Sequence, residues 1–368
     1  GTLLGLDKKE KGKGFRHFLP DPDNPDNPRT ISVGASIRSI YEDRSGILWI
    51  GTMGGGLNKF DPRSETFTHY FHNASDHHSI GSNLVYTICG TMDKGKEILW
   101  LGTADRGLDR FDPADNTFTH FTHDVLKPNT IKANQILCIR EAAAWTDGSP
   151  LWIGTYGGGL ARLDTQTSQC VSYTMADGLV DHTVYGILDD EEGNLWLSTN
   201  LGISKFNPRE KTFKNYTVTD GLQGSEYSGG AYYKADTGEM FFGGVYGLNV
   251  FQPSEVKENT SIPPLVLTIY KNFKEIAVID STHREPQEFR LSYKDQAISF
   301  HFAVLDYISP RENRYAYKLE PIDKDWIYCG TNRIVNYTRL EPGHYTFRVK
   351  GSNNDDTWNE TGLSVKLA

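Results

Sequence analysis

The chain has 368 residues, with 47 acidic against 38 basic side chains and a formal net charge of −9. That length exceeds the usual single domain, and an acidic chain with no Lys/Arg cluster argues against a nucleic-acid binder. Thirty-six glycines, 12% aromatic residues and only 38% apolar residues describe short strands joined by tight turns rather than a helical bundle.

The first element is the tail of a repeat. Gly1-Thr2 ends a unit whose complete form appears at Ile47-Leu48-Trp49-Ile50-Gly51-Thr52. The unit returns as Ile98-Leu99-Trp100-Leu101-Gly102-Thr103, as Leu151-Trp152-Ile153-Gly154-Thr155, as Leu195-Trp196-Leu197-Ser198-Thr199, and weakly as Met240-Phe241-Phe242-Gly243-Gly244. Each copy continues through a glycine turn (Met53-Gly54-Gly55-Gly56) into Leu57-Asn58-Lys59-Phe60-Asp61-Pro62, then into a last run, Thr66-Phe67-Thr68-His69-Tyr70. A preceding run, Ile37-Arg38-Ser39-Ile40-Tyr41, completes four strands per unit. Alternating polarity bounded by Gly, Asp, Asn or Pro is the strand signature. Four strands in about 45–50 residues is the period of a β-propeller blade, whose two faces need neighbours to bury them. The repeated tryptophans Trp49, Trp100, Trp152 and Trp196 are therefore expected between blades, as core. The segment Glu141–Gly148 is read as an insertion lengthening one hairpin.

The pattern Asp-x-x-Gly-x-Leu-Trp-Ile-Gly-Thr-x-x-Gly-Gly-Leu-x-x-Phe-Asp-Pro, seen from Asp43 to Pro62, resembles the two-component regulator propeller repeat. Asp220–Phe251 resembles the closing blade of that family. The copies number fewer than a closed propeller of this family usually has, which implies further blades upstream.

After Phe251-Gln252-Pro253 the repeat stops, and Ser261-Ile262-Pro263-Pro264 reads as a stiff linker. The domains are placed at 1–258 and 261–368. The second holds about seven strand-like runs, which suits an immunoglobulin-like β-sandwich without a stapling Cys pair. Tyr307-x-x-Pro310, Arg314-Tyr315-x-Tyr317-Lys318-Leu319, Asp325-Trp326, Asn336-Tyr337, Leu340-x-Pro342-Gly343-x-Tyr345-x-Phe347 and Trp358-Asn359 resemble the Y_Y_Y domain. The fold class is thus all-β, propeller blades followed by a sandwich.

The search for chemistry returns little. No nucleophile elbow, Walker loop, dinucleotide fingerprint or His-Glu-x-x-His is present. Cys89, Cys138, Cys170 and Cys329 show no CxxC spacing, so they read as small apolar residues. The histidines His69, His72, His77 and His78 lack a completing Cys or Glu, and a polar surface loop is the preferred reading. Asp43-Arg44-Ser45-Gly46 and Asp189-Asp190-Glu191-Glu192-Gly193 read as hairpin turns in which Asp accepts local backbone donors. No metal, cofactor or catalytic residue is assigned.

Binding is better supported. In a propeller, the turns between second and third strands and the links between blades crowd one face around the channel mouth. The turns contribute Met53, Asp105, Arg106, Tyr156, Asn200, Leu201 and Tyr246; the links add Tyr173, His182, Gln223, Glu226 and Tyr227. Aromatic faces beside Arg, Asp and Asn suit a carbohydrate. The family resemblance implies the periplasmic, membrane-tethered sensor region of a hybrid two-component histidine kinase. It would bind an oligosaccharide, dimerise through the Y_Y_Y domain and bind no nucleic acid, with no catalysis by this region. The alternative from another class is a secreted propeller lyase or glycoside hydrolase with an accessory sandwich.

Overall fold

The computed structural model describes all residues except 3–4, 10–11, 13, 35, 142–149, 273, 281–286, 293–296 and 339. The Glu141–Gly148 insertion, beyond its first residue, lies outside the described part. The chain divides into two compact units, Gly1–Glu255 and Val256–Ala368. No α-helix occurs among the described residues.

The first unit is a series of antiparallel blades. A two-stranded hairpin, Leu6–Lys9 with Phe15–Phe18, precedes blade 1. Blade 1 is Ile37–Glu42, Leu48–Thr52, Leu57–Asp61 and Thr66–Tyr70; blade 2 is Val85–Asp93, Lys96–Thr103, Leu108–Asp112 and Thr117–Phe121. Blade 3 is Ile136–Glu141, Leu151–Thr155, Leu160–Leu163 and Cys170–Tyr173, and blade 4 is Val184–Asp189, Leu195–Thr199, Ile203–Asn207 and Thr212–Tyr216. Blade 5 has three strands, Tyr227–Lys234, Met240–Gly244 and Gly247–Phe251. Within each blade the strands pair in sequence order, and the first strands of successive blades run beside one another.

The repeated tryptophans hold the blades together. Trp49, Trp100, Trp152 and Trp196 are each buried to within 1%. Trp49 meets the third-strand Phe111 of blade 2 edge-on at 5.5 Å, Trp152 meets Phe206 of blade 4 at 5.7 Å, and Trp196 meets Phe251 of blade 5 at 4.9 Å. Such pairs add about 0.5–1.5 kcal/mol beyond the area they bury.

The acidic turns serve the same tryptophans. Asp43 Oδ1 accepts from Ser45 N, Ser45 Oγ and Ile47 N, while Oδ2 accepts from the Trp49 indole at 2.8 Å. Asp190 repeats this with Glu192 N, Asn194 N and the Trp196 indole at 2.9 Å. Burial opposes the charge on Asp43, but these donors outweigh it and hold its carboxyl below the ordinary value. The oxygens are spent on the hairpin, so the turns explain themselves structurally.

The second unit is two sheets. One runs Lys274–Asp280, Leu265–Lys271, Ala297–Val304, Ile334–Thr338; the other runs Gln287–Phe289, Trp358–Leu367, Tyr345–Ser352, Arg314–Glu320, Ile327–Gly330. The core between them stacks Phe300 on Phe347 at 3.8 Å and includes Tyr315, whose Oη accepts from Val304 N. Asp356 has φ +55°, a conformation that Asp tolerates better than most residues. The four cysteines are free thiols, with Cys138 and Cys170 buried.

Candidate functional site

The mouth of the blades is built by backbone hydrogen bonds that repeat from blade to blade. The first residue of each of four turns donates to the residue just before an innermost strand: Met53 to Ser36, Ala104 to Leu84, Tyr156 to Gln135, and Val245 to Glu226, at 2.8–3.1 Å. The turn glycines of blades 1 to 4 donate onward to the link entering the next blade: Gly56 to Asn83, Gly107 to Asn134, Gly159 to His182, and Gly202 to Ser225. These glycines sit at φ between +66° and +118°, and an added Cβ would strike the carbonyl closing the outer strand. Turns and links therefore form one stitched rim, and the side chains they carry are presented on a fixed frame.

Seven of the expected residues are exposed on that rim: Asp105, Arg106, Tyr156, His182, Leu201, Glu226 and Tyr246. Asn200 is half-buried. Its Nδ2 donates to Asp181 Oδ1 at 3.1 Å, and its Oδ1 accepts from the Tyr185 hydroxyl at 2.9 Å. Burial raises the Tyr185 phenol above its ordinary value, and the neighbouring Glu226, Tyr156 and Asp181 raise it further. Blades 3, 4 and 5 thus bring Tyr156, Asp181, Tyr185, Asn200 and Glu226 into one polar, aromatic cluster. Met53 is half-buried.

Three expected residues do not belong there. Tyr173 is the last residue of the outermost strand of blade 3, paired with Leu160, and its ring packs on Trp152 and Phe206 between blades. Tyr227 is 2% exposed, and its hydroxyl donates to Asn249 Oδ1 at 2.7 Å. Burial pushes that phenol up to about 12, so it stays neutral and structural. Gln223 uses its backbone N–H on the same Asn249 oxygen, and its amide is buried against Gly244. In each case the chain position was near the mouth, but strand alternation or a buried anchor turned the side chain away.

A feature missing from the sequence reading is a bulge in each innermost strand. In blade 1, Ile37 pairs with Thr52 and Ser39 with Gly51, leaving Arg38 extra. The same irregularity isolates Tyr86 in blade 2, Leu137 in blade 3 and Tyr185 in blade 4. In blade 5 it spans the residues between Tyr227 and Tyr232. Bulges re-aim side chains and mark functional rims. The signal was present, since Arg38, Tyr86, Leu137 and Tyr185 occupy one repeat position, but only pairing shows that it is unpaired.

Of the four clustered histidines, His77 and His78 are exposed and the other two are engaged in structure. His69 Nε2 bonds Thr30 O at 3.0 Å and His72 Nδ1 bonds Ile80 O at 2.9 Å. No group of three His, Cys, Asp or Glu side chains suited to a metal occurs among the described residues.

Residues 32–54 and 178–201 match the two component regulator propeller family, and residues 306–367 match the Y_Y_Y domain. The chain carries regulator propeller repeats followed by a Y_Y_Y domain. Along 347 residues, 91% of this chain, it is 27% identical to "Histidine kinase P4" of Formosa agariphila, and it spans 24% of that relative's length. The extracellular domain of the hybrid two component system BT3049 from B. thetaiotaomicron matches all of the chain and 53% of its own, at TM-score 0.52 and 22% identity. PorZ, a surface component of the type-IX secretion system of Porphyromonas gingivalis, matches all of the chain and 49% of its own, at TM-score 0.51 and 15% identity. These two structures share the fold. In the regulator propeller the second family match includes Asp181, Tyr185 and Asn200 of the rim cluster. In the Y_Y_Y domain it covers Tyr315, Tyr317, Tyr337 and Tyr345, all packed in or against the sandwich core. No helix among the described residues is long and apolar enough to cross a membrane.

Proposed function

We propose that this chain is the extracytoplasmic sensing region of a hybrid two-component system protein. Its propeller mouth binds an oligosaccharide, and its Y_Y_Y sandwich, paired with a second copy, passes the event to a histidine kinase across the membrane. The observation that carries the reading is the succession of regulator propeller repeats and a Y_Y_Y domain, aligned over 91% of the chain with a histidine kinase. The rim cluster supports the ligand: Tyr156 is 53% exposed and can lie under an apolar sugar face, while Asp181, Asn200 and Glu226 offer partners for hydroxyls.

The reading places the chain in the periplasm, tethered to the inner membrane by the full-length protein, and makes the control of glycan-use genes its output. Signalling requires that the sugar bind one dimer arrangement more tightly than the other, because equal affinity shifts nothing. Calorimetric titration against a panel of oligosaccharides, with product analysis of each mixture, is the test. Saturable binding without products is expected. Turnover of any panel member would contradict the reading, and so would a panel that gives no binding at all.

A further inference from the structure

The four bulge residues divide the mouth into two chemically different sectors. At blades 1 and 2, the Arg38 guanidinium lies over the Tyr86 ring, 5.7 Å from its centroid. Arg38 is exposed, and no carboxylate pairs with it among the described residues. Arg106 belongs to the same sector: its turn is bonded through Ala104 N to Leu84, two residues before Tyr86. Its side chain is exposed and likewise has no acidic partner among the described residues. At blades 4 and 5 the equivalent bulge residue, Tyr185, is bonded to Asn200, which is tied to Asp181, with Glu226 close by.

From this we infer that the oligosaccharide carries an oxyanion, a uronate carboxylate or a sulfate ester, and that Arg38 is the residue that recognises it. The inference rests on the sugar-binding reading above and deepens it. A guanidinium lying on an aromatic face is already desolvated on that side and held in orientation, while its donor edge stays free. That edge matches two oxygens of a carboxylate or sulfate, a pairing about twice as strong as a neutral hydrogen bond. Ring stacking also lowers the rotamer entropy lost when the anion docks. The Asp181 and Glu226 carboxylates repel the same anion from the opposite sector and accept from sugar hydroxyls. The ligand is thereby given a single direction across the mouth, with its acidic residue at blades 1 and 2 and its neutral residues at Tyr156 and Tyr185. Arg38 and Tyr86 sit at one repeat position in adjacent blades, so the bulge is what brings the two side chains together.

The test uses the whole chain and three matched probe sets: galacturonate oligomers, sulfated galactose oligomers, and neutral galactose oligomers of the same length. Binding is measured by calorimetry for the native protein and for Arg38→Ala, Arg38→Lys and Tyr86→Leu, with thermal melting of each variant as the folding control. At least one acidic set is expected to bind ten-fold or more tightly than the neutral set, and more weakly as salt is raised. The uronate and sulfate arms identify which oxyanion is used. Arg38→Ala should lose at least ten-fold on the acidic probe with its melting temperature unchanged. Arg38→Lys should recover only part of that loss, because it keeps the charge without the fork. Neutral probes binding as well as acidic ones, or Arg38→Ala binding normally, would overturn the inference and leave the sugar-sensing reading standing. Silence from all three sets would overturn the inference, while the sugar-sensing reading falls only if the wider oligosaccharide panel is silent as well.

Discussion

Leu108 and Leu248 stand at the same place in the repeat, each the residue after the turn glycine, in blades 2 and 5. Leu108 is 0% exposed, as are Leu57 and Leu160, whereas Leu248 is 55% exposed. Nearby, Val250 and Tyr246 are exposed at 43% and 78%. Local strand geometry is alike in the two blades, since Gly243 pairs with Leu248 as Gly102 pairs with Leu108. What differs is the neighbour: blade 3 covers the far face of blade 2, and no described blade covers that of blade 5. Sequence therefore sets the strand and its alternation, while burial in a repeat is supplied by the next unit.

The comparison can be broken most forcefully at the interior. Trp152→Ala should cost about 4 kcal/mol, and Leu108→Ala about 3 kcal/mol, both from lost transfer energy and the cavity left behind. Leu248→Ala should change stability by no more than about 0.5 kcal/mol, as for other exposed positions. Urea unfolding of the three variants reads this directly. Equal losses at Leu108 and Leu248 would mean that the exposed face of blade 5 is covered in solution.

A second contrast lies in the acidic hairpins. Asp190→Ala strands the N–H of Asn194 and the indole of Trp196, both buried, and should cost about 2 kcal/mol. In blade 2 the tryptophan indole donates to Thr91 Oγ1 at 3.0 Å instead. Thr91→Val should cost about 1 kcal/mol, since a single bond is lost. Denaturation midpoints order the two.

The third strands of blades 1 and 2 offer a smaller, pH-dependent contrast. Asp109 is fully buried, accepts from Gly81 N at 2.7 Å and pairs with His120 Nδ1 at 2.6 Å; its counterpart in blade 1 is the uncharged Asn58. The hydrogen bond that His120 donates to Asp109 raises the imidazole above its ordinary value of 6.5, burial opposes this, and the Asp109 charge adds to the rise. A raised histidine contributes its full stabilisation below the unfolded value and loses it as pH climbs through the folded one. Unfolding stability should therefore decline above about pH 6.5, and His120→Gln should remove that part of the slope. A wild-type curve unchanged by the substitution would show that the pair is not charge-coupled. Tyr185→Phe, which removes one hydroxyl bond to Asn200, should be smaller still, about 0.5–1 kcal/mol by the same denaturation assay.

Much of the fold was legible because the repeat presents the same evidence several times. The second-strand tryptophans, the turn glycines and the acidic hairpins are where the pattern placed them, and Tyr315, Tyr317, Tyr337 and Tyr345 of the second domain lie in or against its core, while Tyr307 is exposed. The mouth was legible as a set of loops but only partly as side chains. Tyr173 and Tyr227 are near the rim in sequence, yet their rings complete the packing of Trp152 and Phe242. Arg38, Tyr86 and Tyr185 were missed because a bulge is a fact about two strands, and a one-residue excess is invisible until the partner strand is aligned. Asp181 was missed for a different reason: its role depends on Asn200, nineteen positions away.

Hydrogen exchange on the whole chain, with and without a saturating oligosaccharide found by titration, tests the central claim most directly. The account predicts protection confined to the rim segments around Arg38, Tyr86, Tyr156, Asp181–Tyr185, Asn200 and Glu226. Protection centred on any other surface, with those segments exchanging as in the free protein, would contradict it.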